Sequence, residues 1–393
     1  MAGKFLFLIC MVLGAKALVL EKVLIFSRHN IRTPLVSNLG KYTSKKLPHW
    51  THESGFLTEQ GIRNERQLGE YFSTWFRDEG FLSNECPDWN SVHVCANNLQ
   101  RTEMTARVFA DALFGNCSID FDVKKPGAVD DRFRPVIRNS RRLFRKTGLK
   151  QMQSKLDKVK LSHAYKKLNR ILDINSSWIC RNKRMCDLSR MKDEIVFKIG
   201  KEPNLKGPLA IGNEIMDSFL MRFYSGAPMD EIAWGEWDWS TMRLLSQITR
   251  HNLIVRFTAQ AVADDVAWPL LQYIREAFTR NDKRKLTVMV GHDSNIHAML
   301  KSLRFERYRL KKQLELSPIG GKVVFQKWYD ERNNVSLLKV QYIYASMFQQ
   351  RYGEHLTAEN PPMRATLALE ECKVDENGFC LWDDFMRNVI DKI

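Results

Sequence analysis

Apolar residues follow two patterns along the chain, and the two patterns occupy different parts of it. Short, nearly continuous apolar runs, typical of buried strands, lie at residues 22–27, 92–96, 286–290, 322–329 and 337–345. Between residues 135 and 270, apolar side chains recur instead at helical spacing, as in Leu149, Met152 and Leu156, which predicts amphipathic helices. We therefore expect an α/β fold with a central mixed, mostly parallel sheet flanked by helices and with an inserted α-helical domain.

The 393 residues exceed what one hydrophobic core usually holds. Because the strand pattern lies at both ends of the chain, the α/β domain is predicted to be discontinuous, over residues 18–134 and 271–393. The helical insert would then span residues 135–270. An active site is expected at the interface of the two parts, where pockets are common.

The first 17 residues have the composition of a secretory signal peptide. Lys4 precedes an apolar segment at residues 5–13, and residues 15–17 read Ala-Lys-Ala, a small-X-small pattern typical of a cleavage site. This segment is too short to span a bilayer, and no later stretch has 18 uninterrupted apolar residues. The chain is therefore expected to be secreted, or exported to the periplasm if bacterial, without a transmembrane anchor.

A histidine between two arginines follows the first apolar run. Residues 27–34 read Ser-Arg-His-Asn-Ile-Arg-Thr-Pro, with His29 between Arg28 and Arg32. A neutral imidazole can attack phosphorus, and the forked donors of a guanidinium match phosphoryl oxygens. The segment suggests a nucleophile inside a phosphate-binding cradle, although a basic helix or loop start can show the same pattern with no such role.

Two further polar motifs stand at the same kind of position, directly after an apolar run. Residues 97–102 read Asn-Asn-Leu-Gln-Arg-Thr and contain Arg101, and residues 291–295 read Gly-His-Asp-Ser-Asn and contain His292 and Asp293. In open α/β sheets, ligands bind beyond the carboxyl ends of the strands. The three motifs are therefore expected to converge on one crevice.

These side chains suffice for a two-step phosphoryl transfer. His29 would attack phosphorus and form a phosphohistidine. The side chains that would bind the substrate and neutralise charge on its non-bridging oxygens are Arg28, Arg32, Arg101 and His292. Asp293 would protonate the departing alkoxide and then help a water molecule attack the phosphoenzyme. The scheme needs no cofactor and no metal ion. Because an aspartate of ordinary pKa is protonated only in acid, it predicts an acidic pH optimum.

At these residues the sequence resembles the histidine acid phosphatases, whose signature is Arg-His-Gly-X-Arg-X-Pro with a distant His-Asp pair. The matching positions are Arg28, His29, Arg32, Pro34, Arg101, His292 and Asp293. Asn30 stands where most members carry glycine, and asparagine is the non-glycine residue that best tolerates left-handed backbone. The Arg-His-Asn signature is similar to the branch of periplasmic glucose-1-phosphatases, and the likeness covers nearly the whole chain after residue 17.

The resemblance also implies a residue that contacts the sugar. In that branch a glutamate from the helical region has this role, and residues 201–203, Lys-Glu-Pro, are similar to the segment that carries it, so Glu202 is the candidate. A carboxylate can accept two hydroxyl hydrogen bonds from a hexose. Without the resemblance, Glu202 would be interpreted as an ordinary exposed loop residue. Trp234, Trp237 and Trp239 could line a sugar pocket, but core packing is the more usual role of such a cluster.

The chain has eight cysteines, of which Cys10 lies in the leader. The expected disulfides are Cys180–Cys186 and Cys372–Cys380, which close short loops, and Cys86–Cys117, which matches a pair in the resembled family. Cys95 is left over, and a buried, unreactive thiol is expected there. This cysteine usage is typical of an oxidising compartment.

The formal net charge of +16 is concentrated at residues 132–170, where fourteen Lys or Arg accompany a single acidic residue, Asp157. Steering of polyanionic substrates and attachment to an acidic glycan or another polyanion are two explanations. A solvated basic helical face is the simpler one. No zinc-finger spacing or interleaved aromatic pattern indicates nucleic-acid binding.

Together these features predict a secreted phosphomonoesterase acting on sugar phosphates such as glucose 1-phosphate. A phytase-like inositol polyphosphate phosphatase, or an acid phosphatase of broad specificity, would use the same cradle with a wider and more cationic mouth. A secreted binding protein or effector that has lost catalysis would show decay of the motif residues, which are intact here. Sequons at residues 116–118, 175–177 and 334–336 permit glycosylation in a eukaryotic host.

Overall fold

The computed structural model describes residues 18–35, 38–115 and 117–393, so the predicted signal peptide lies outside the described residues. The strands are β1 (Leu18–Arg28), β2 (Val92–Ala96), β3 (Phe121–Val123), β4 (Glu194–Val196), β5 (Asn204–Lys206), β6 (Leu286–Gly291), β7 (Lys322–Asp330), β8 (Val335–Tyr344), β9 (Met363–Thr366) and β10 (Phe379–Leu381). The five apolar runs predicted as strands are confirmed as parts of β1, β2, β6, β7 and β8.

The helices are α1 (Leu39–Tyr42), α2 (Glu59–Asp78), α3 (Gln100–Phe114), α4 (Arg142–Leu156), α5 (Ser162–Leu172), α6 (Trp178–Lys183), α7 (Pro208–Tyr224), α8 (Trp239–Phe257), α9 (Gln260–Thr279), α10 (Asp293–Ser302), α11 (Met347–Tyr352) and α12 (Trp382–Phe385). Residues 135–270 contain α4 to α8 and the two-stranded sheet β4–β5, and α9 continues through residue 270 without a break. The division into two domains at these residues stays a prediction.

The central sheet has the order β10-β8-β7-β1-β6-β2-β3, and β9 also pairs with β8. The predicted mixed sheet is confirmed. Its parallel pairings are β1–β6, β6–β2 and β2–β3, and its antiparallel pairings are β1–β7, β7–β8, β8–β9 and β8–β10. Fewer of the strand pairings are parallel than expected, because the chain after β7 turns back directly into the antiparallel strand β8. An apolar run in the sequence does not reveal the direction of the neighbouring strand.

The parallel strands bring the polar motifs to one edge of the sheet. Arg28, at the end of β1, pairs with Gly291 at the end of β6, and Ala96 of β2 pairs with Val290. Hydrogen bonds of 3.0 Å continue both ladders for one residue, from the His29 amide to the Gly291 carbonyl and from the Asn97 amide to the Val290 carbonyl. The segments after β1, β2 and β6 therefore start side by side.

Three hydrophobic clusters hold this arrangement. Successive residues of β1 point to opposite faces of the sheet, so that Leu24 and Phe26 pack on the side of α9 and α10 while Val23 and Ile25 pack on the side of α2 and α3. The third cluster joins α5, α7 and α8, and it includes Ile31 and Ile319 from the segments that flank His29. The helical region therefore packs directly against the His29 segment.

The predicted disulfides Cys86–Cys117, Cys180–Cys186 and Cys372–Cys380 are present. Cys95 is buried and free, and burial raises the pKa of its thiol to about 12, as expected of an unreactive cysteine. Among the residues described here, no helix combines the length and the apolar character needed to cross a membrane.

Candidate active site

His29 stands one residue beyond β1, almost fully buried, with a ring that the backbone orients. Its Nδ1 lies 2.8 Å from the carbonyl oxygen of Asn30. Because a carbonyl can only accept, the proton sits on Nδ1 and the free lone pair is on Nε2. Burial holds the pKa of His29 well below its ordinary value, and the nearby cations Arg101 and Arg32 act in the same direction. The lowered pKa favours the neutral imidazole, which is the form that could act as a nucleophile.

The two arginines of the first motif are held by carboxylates and backbone oxygens. Arg28 donates from Nη1 to the Ser317 carbonyl at 2.6 Å and to Glu315 at 3.1 Å. Arg32 makes a two-pronged ion pair with Asp217 of α7, in which both N–O distances are 2.9 Å. These contacts fix the direction of each planar guanidinium and leave its Nε without an acceptor among the described residues.

Three arginine N–H donors of the site have no protein acceptor among the described residues. The Nε atoms of Arg28, Arg32 and Arg101 are buried and have no acceptor among the described residues, and all three side chains line the same cavity as His29. Burial, together with Arg32, lowers the pKa of Arg101 to about 10. A buried donor without an acceptor costs about 1–3 kcal/mol. Because all three guanidinium groups belong to residues that line one cavity, that cavity is suited to a negatively charged ligand.

His292 lies beside His29, with the ring centroids 5.5 Å apart. Its Nε2 is 3.0 Å from Oδ1 of Asn97, and its backbone amide donates to Asn295 at the start of α10. Burial and the neighbouring Arg101 lower the pKa of His292 to about 3. In a neutral ring the single proton lies on Nε2 and is donated to Asn97, so a hydrogen bond from His292 to a phosphoryl oxygen needs the protonated ring, which a bound anion would favour.

Asp293 begins α10, and its carboxylate forms an ion pair with Arg28 at 3.1 Å. Burial opposes its ionisation, but Arg28 and the neighbouring histidines His297 and His292 prevail and lower the pKa to about 2. A general acid needs the opposite shift. We expect bound phosphate to supply it, because the ligand brings negative charge next to the carboxylate and competes for the Arg28 donors.

Glu202 belongs to the same cavity, which has a volume of about 920 Å³ and lies between the sheet edge and helices α7 and α8. Its carboxylate accepts from Arg256 Nη2 at 2.9 Å, and Arg256 Nε donates to the Pro203 carbonyl at 2.7 Å. Burial raises the pKa of Glu202. Arg256 could not be found from the sequence, because it occupies an ordinary helical position in α8.

The three tryptophans considered for a sugar pocket do not line this cavity. Trp237 is buried, with its ring 5.7 Å from that of Phe219. Trp234 packs edge-on against the same phenylalanine, and Trp239 is half exposed near Phe348. The preferred interpretation as core packing therefore holds for Trp237 but not for Trp239.

Comparisons with known proteins show the family of this chain. The sequence profile described as histidine phosphatase superfamily (branch 2) matches residues 19–164. A glucose-1-phosphatase from Providencia rettgeri is 37% identical over 382 residues, covering 94% of this chain and 91% of that protein. A glucose-1-phosphatase from Salmonella typhimurium is 38% identical over 377 residues, covering 93% of this chain and 91% of that one. The chain belongs to branch 2 of the histidine phosphatase superfamily.

The fold of this histidine phosphatase is also shared with solved structures. A phytase from Citrobacter braakii superposes with a TM-score of 0.87 at 25% sequence identity, over 96% of this chain and 98% of that chain. The predicted resemblance is therefore confirmed, and the protein is a histidine acid phosphatase that hydrolyses phosphate monoesters.

One departure of this histidine phosphatase from the family signature has a different cause from the one predicted. Asn30 is not among the residues with positive φ, so the explanation by left-handed backbone is wrong. Its side chain is buried and donates from Nδ2 to Glu65 at 2.7 Å. Glu65, Asp217 and Glu315 were all missed, because nothing local in the sequence distinguishes a carboxylate whose partner lies far along the chain.

Proposed function

We propose that this phosphatase hydrolyses sugar phosphates, such as glucose 1-phosphate, through a phosphohistidine on His29 and with an acidic pH optimum. The observation that carries the proposal is the set of three buried Nε donors, on Arg28, Arg32 and Arg101, that lack a protein acceptor around one cavity. Such donors match the oxygens of a phosphoryl group bound in front of His29. The relatives named glucose-1-phosphatase support the choice of substrate.

In the proposed first step, the lone pair on Nε2 of His29 attacks phosphorus as the bond from phosphorus to the leaving oxygen breaks. Nδ1 keeps its proton, which it donates to the Asn30 carbonyl. Asp293 gives a proton to the leaving oxygen. In the second step, water attacks phosphorus as the bond between phosphorus and His29 Nε2 breaks, and Asp293 takes a proton from that water. The side chains proposed to hold the non-bridging oxygens are Arg28, Arg32, Arg101 and His292.

The far side of the cavity supports a substrate with a single phosphate group. Beyond the cradle, the arginines lining the described part of the cavity are Arg134 and Arg256, and Arg256 is neutralised by its ion pair with Glu202. Glu202 and Glu214 offer carboxylate oxygens there that can accept hydrogen bonds from hydroxyl groups, and the charge of Glu214 would also repel further phosphates. A phytase-like activity is the second candidate, because the fold is shared with phytases.

A substrate panel tests the proposal. The purified protein is assayed between pH 3 and 8, with EDTA present, on glucose 1-phosphate, inositol hexakisphosphate and p-nitrophenyl phosphate. We expect turnover that EDTA does not abolish, highest in acid, with a kcat/KM for glucose 1-phosphate at least tenfold above that for the hexakisphosphate. The reverse preference would establish the phytase-like alternative. Absence of turnover on all three substrates would favour a secreted binding protein or effector that has lost catalysis.

The intermediate can be trapped independently of the substrate preference. Acid-labile, alkali-stable radiolabel on His29 after a rapid quench with labelled substrate is the expected result. Turnover without any such label would end the phosphohistidine scheme.

The disulfides are consistent with an extracytoplasmic location. Secretion by cleavage after residue 17 and glycosylation at the sequons are the finer proposals. Amino-terminal sequencing of the mature protein would test the cleavage, and the shift in its mass after glycosidase treatment would test the glycosylation.

A polyanion partner, such as an acidic glycan, is proposed for the basic stretch at residues 132–170. Within the described residues, the ion pairs formed by its cations involve Arg132, Arg138, Lys167 and Arg170, which leaves the cations of α4 without one. Retention on a heparin column tests the proposal. Exchanging Arg142 and Lys146 for glutamate should lower the eluting salt concentration more than the control pair Arg63→Glu and Arg66→Glu on α2, and an equal shift would contradict it.

A further inference from the structure

A buried ion pair lies behind the His29 segment, outside the cavity. Lys322, the first residue of β7, places Nζ 2.7 Å from Oε1 of Glu65 on α2, and both side chains are fully buried. Neither residue lines the cavity. A buried ion pair is weak support for stability, since apolar residues of similar volume often serve as well. Glu65 contacts Asn30, the residue that follows His29, and this contact suggests another role for the pair.

The pair reaches the nucleophile through Asn30. Both carboxylate oxygens of Glu65 are used, because Lys322 donates to Oε1 and the side-chain amide of Asn30 donates to Oε2 at 2.7 Å. Lys322 also donates to Ser27 Oγ at 3.0 Å and to the Gly320 carbonyl at 3.2 Å. The Lys322 ammonium group therefore contacts the His29 segment directly at Ser27 and, through Glu65, at Asn30.

The side chain of Asn30 fixes the peptide group that follows it. Its Oδ1 accepts from the amide of Ile31 at 2.8 Å, and that amide shares a peptide plane with the Asn30 carbonyl, the acceptor for His29 Nδ1. The orientation of the Asn30 side-chain amide is determined by its partners, because a carboxylate requires the NH2 group and an N–H requires the oxygen. The backbone amide of Asn30 is bound too, to Thr105 Oγ1 at 3.1 Å.

The neighbouring loop is shaped to admit this side chain. Gly320 has a φ of +66°, and a Cβ there would come within 2.5 Å of Asn30 Nδ2. Its backbone amide donates to the carbonyl of His29 at 3.1 Å. A glycine at position 30, which is typical of the wider family that the sequence resembles, could make no hydrogen bond to Glu65.

We propose that Asn30, Glu65 and Lys322 form a positioning network that locks the carbonyl acceptor of His29 Nδ1 and so keeps Nε2 aimed at phosphorus. The inference rests on the proposed role of His29 as nucleophile. None of the three side chains touches the reacting atoms. The proton on Nδ1 stays in place while Nε2 gains and loses the phosphoryl group, and a fixed acceptor favours the ring in its phosphorylated state.

The test uses Asn30→Asp and Asn30→Leu, which have nearly the same size, with p-nitrophenyl phosphate as the substrate. The titratable groups in contact with residue 30 are His29 and Glu65, with Lys322 behind Glu65. A protonated aspartic acid can still donate to Glu65, whereas an ionised one repels it. In Asn30→Asp we expect a kcat within threefold of wild type near pH 4 that falls at least tenfold by pH 6. In Asn30→Leu we expect a tenfold loss at every pH, with KM changed less than twofold in both.

A purely structural role would lower the folded fraction without changing the pH profile. All rates are therefore referred to the number of sites that form phosphoenzyme in a burst, and thermal unfolding is recorded in parallel. An Asn30→Asp profile parallel to that of wild type, with kcat per active site within twofold in both variants, would overturn the inference.

A second set of variants separates the hydrogen bond from the charges. The double variant Glu65→Gln with Lys322→Met retains an acceptor for Asn30 and removes both charges, so we expect a kcat within threefold of wild type. Lys322→Met alone leaves a buried carboxylate unpaired and should lower kcat at least tenfold. A double variant as impaired as Lys322→Met alone would contradict the network. Full activity of His29→Ala would instead refute the proposed function itself.

Discussion

The two sides of the cavity hold their charges in different ways. On the sheet side, Arg28, Arg32 and Arg101 keep buried Nε donors without acceptors. On the helical side, Arg256 and Glu202 neutralise each other through an ion pair of 2.9 Å. Unsatisfied donors are unfavourable until an anion arrives, whereas a neutral pair remains satisfied in its absence. We therefore expect the first side to bind the phosphoryl group and the second side to bind an uncharged polyol.

The largest effect is expected for the nucleophile on the sheet side. His29→Ala removes the atom that would bond to phosphorus, so kcat for p-nitrophenyl phosphate should fall by about 10⁴-fold or more. Binding of inorganic phosphate, measured by calorimetry, should persist because the arginines remain. A variant with wild-type turnover would show that another group is the nucleophile.

The next effect depends on the leaving group. Asp293→Asn should lower kcat for glucose 1-phosphate by about 10²–10⁴-fold, the usual contribution of a general acid. The loss should be much smaller for p-nitrophenyl phosphate, because a stable phenolate needs little protonation. Equal losses on both substrates would remove the assignment of Asp293 as the acid.

The pH dependence follows from the same carboxyl group. Its pKa is about 2 in the free enzyme, and we expect bound phosphate to raise this pKa, so that the protonated acid persists to higher pH in the complex. Because kcat reports the complex and kcat/KM the free enzyme, the fall of kcat on glucose 1-phosphate should begin at higher pH than the fall of kcat/KM. Coincident limbs would show that phosphate does not shift this pKa.

A smaller effect is expected from the comparison of Arg101, whose Nε has no acceptor among the described residues, with Arg132, which has two carboxylate partners. Arg101 makes no hydrogen bond to the described residues through its buried Nε, whereas Arg132 forms ion pairs with Asp122 and Asp130. Arg101→Met should lower kcat/KM by about 10²-fold and raise the free energy of unfolding without phosphate. Arg132→Met should lower the free energy of unfolding and serves as the matched control.

Thermal unfolding with and without phosphate measures this contrast. Phosphate at a hundred times its Kd should stabilise the wild type by about 2.7 kcal/mol. The same phosphate concentration should stabilise Arg101→Met much less. If Arg101→Met proved less stable than wild type in the absence of phosphate, Arg101 would be a structural residue and the contrast between the two sides would fail.

The same two sides differ in how far the sequence predicts them. Arg28, His29, His292 and Asp293 could be placed because each follows an apolar run, and parallel strands end at one edge. Asp217 and Arg256 lie on helices whose position is set by packing over long sequence separations, which periodicity does not encode. Glu202 could be found only through resemblance to the family.

Asn30 shows where a local rule was the wrong one. Left-handed tolerance is a property of the residue itself, but the side chain at position 30 is determined by Glu65, which is 35 positions away. The mostly parallel sheet was overestimated for a similar reason, since pairing direction depends on the connection between strands. In both cases a contact between distant segments outweighed a preference that could be read locally.

The smallest expected effect concerns the helical side. Glu202→Ala should raise the KM for glucose 1-phosphate about tenfold, the equivalent of one charge-assisted hydrogen bond, and leave the KM for p-nitrophenyl phosphate nearly unchanged. It also frees Arg256, so kcat/KM for inositol hexakisphosphate should increase. The double variant with Arg256→Ala should lose that gain, because no cation then replaces the neutral pair. If Glu202→Ala weakened the sugar phosphate and the aryl ester equally, the helical side would be contributing to cavity shape rather than to recognition of the polyol, and selectivity would have to reside in the cradle itself.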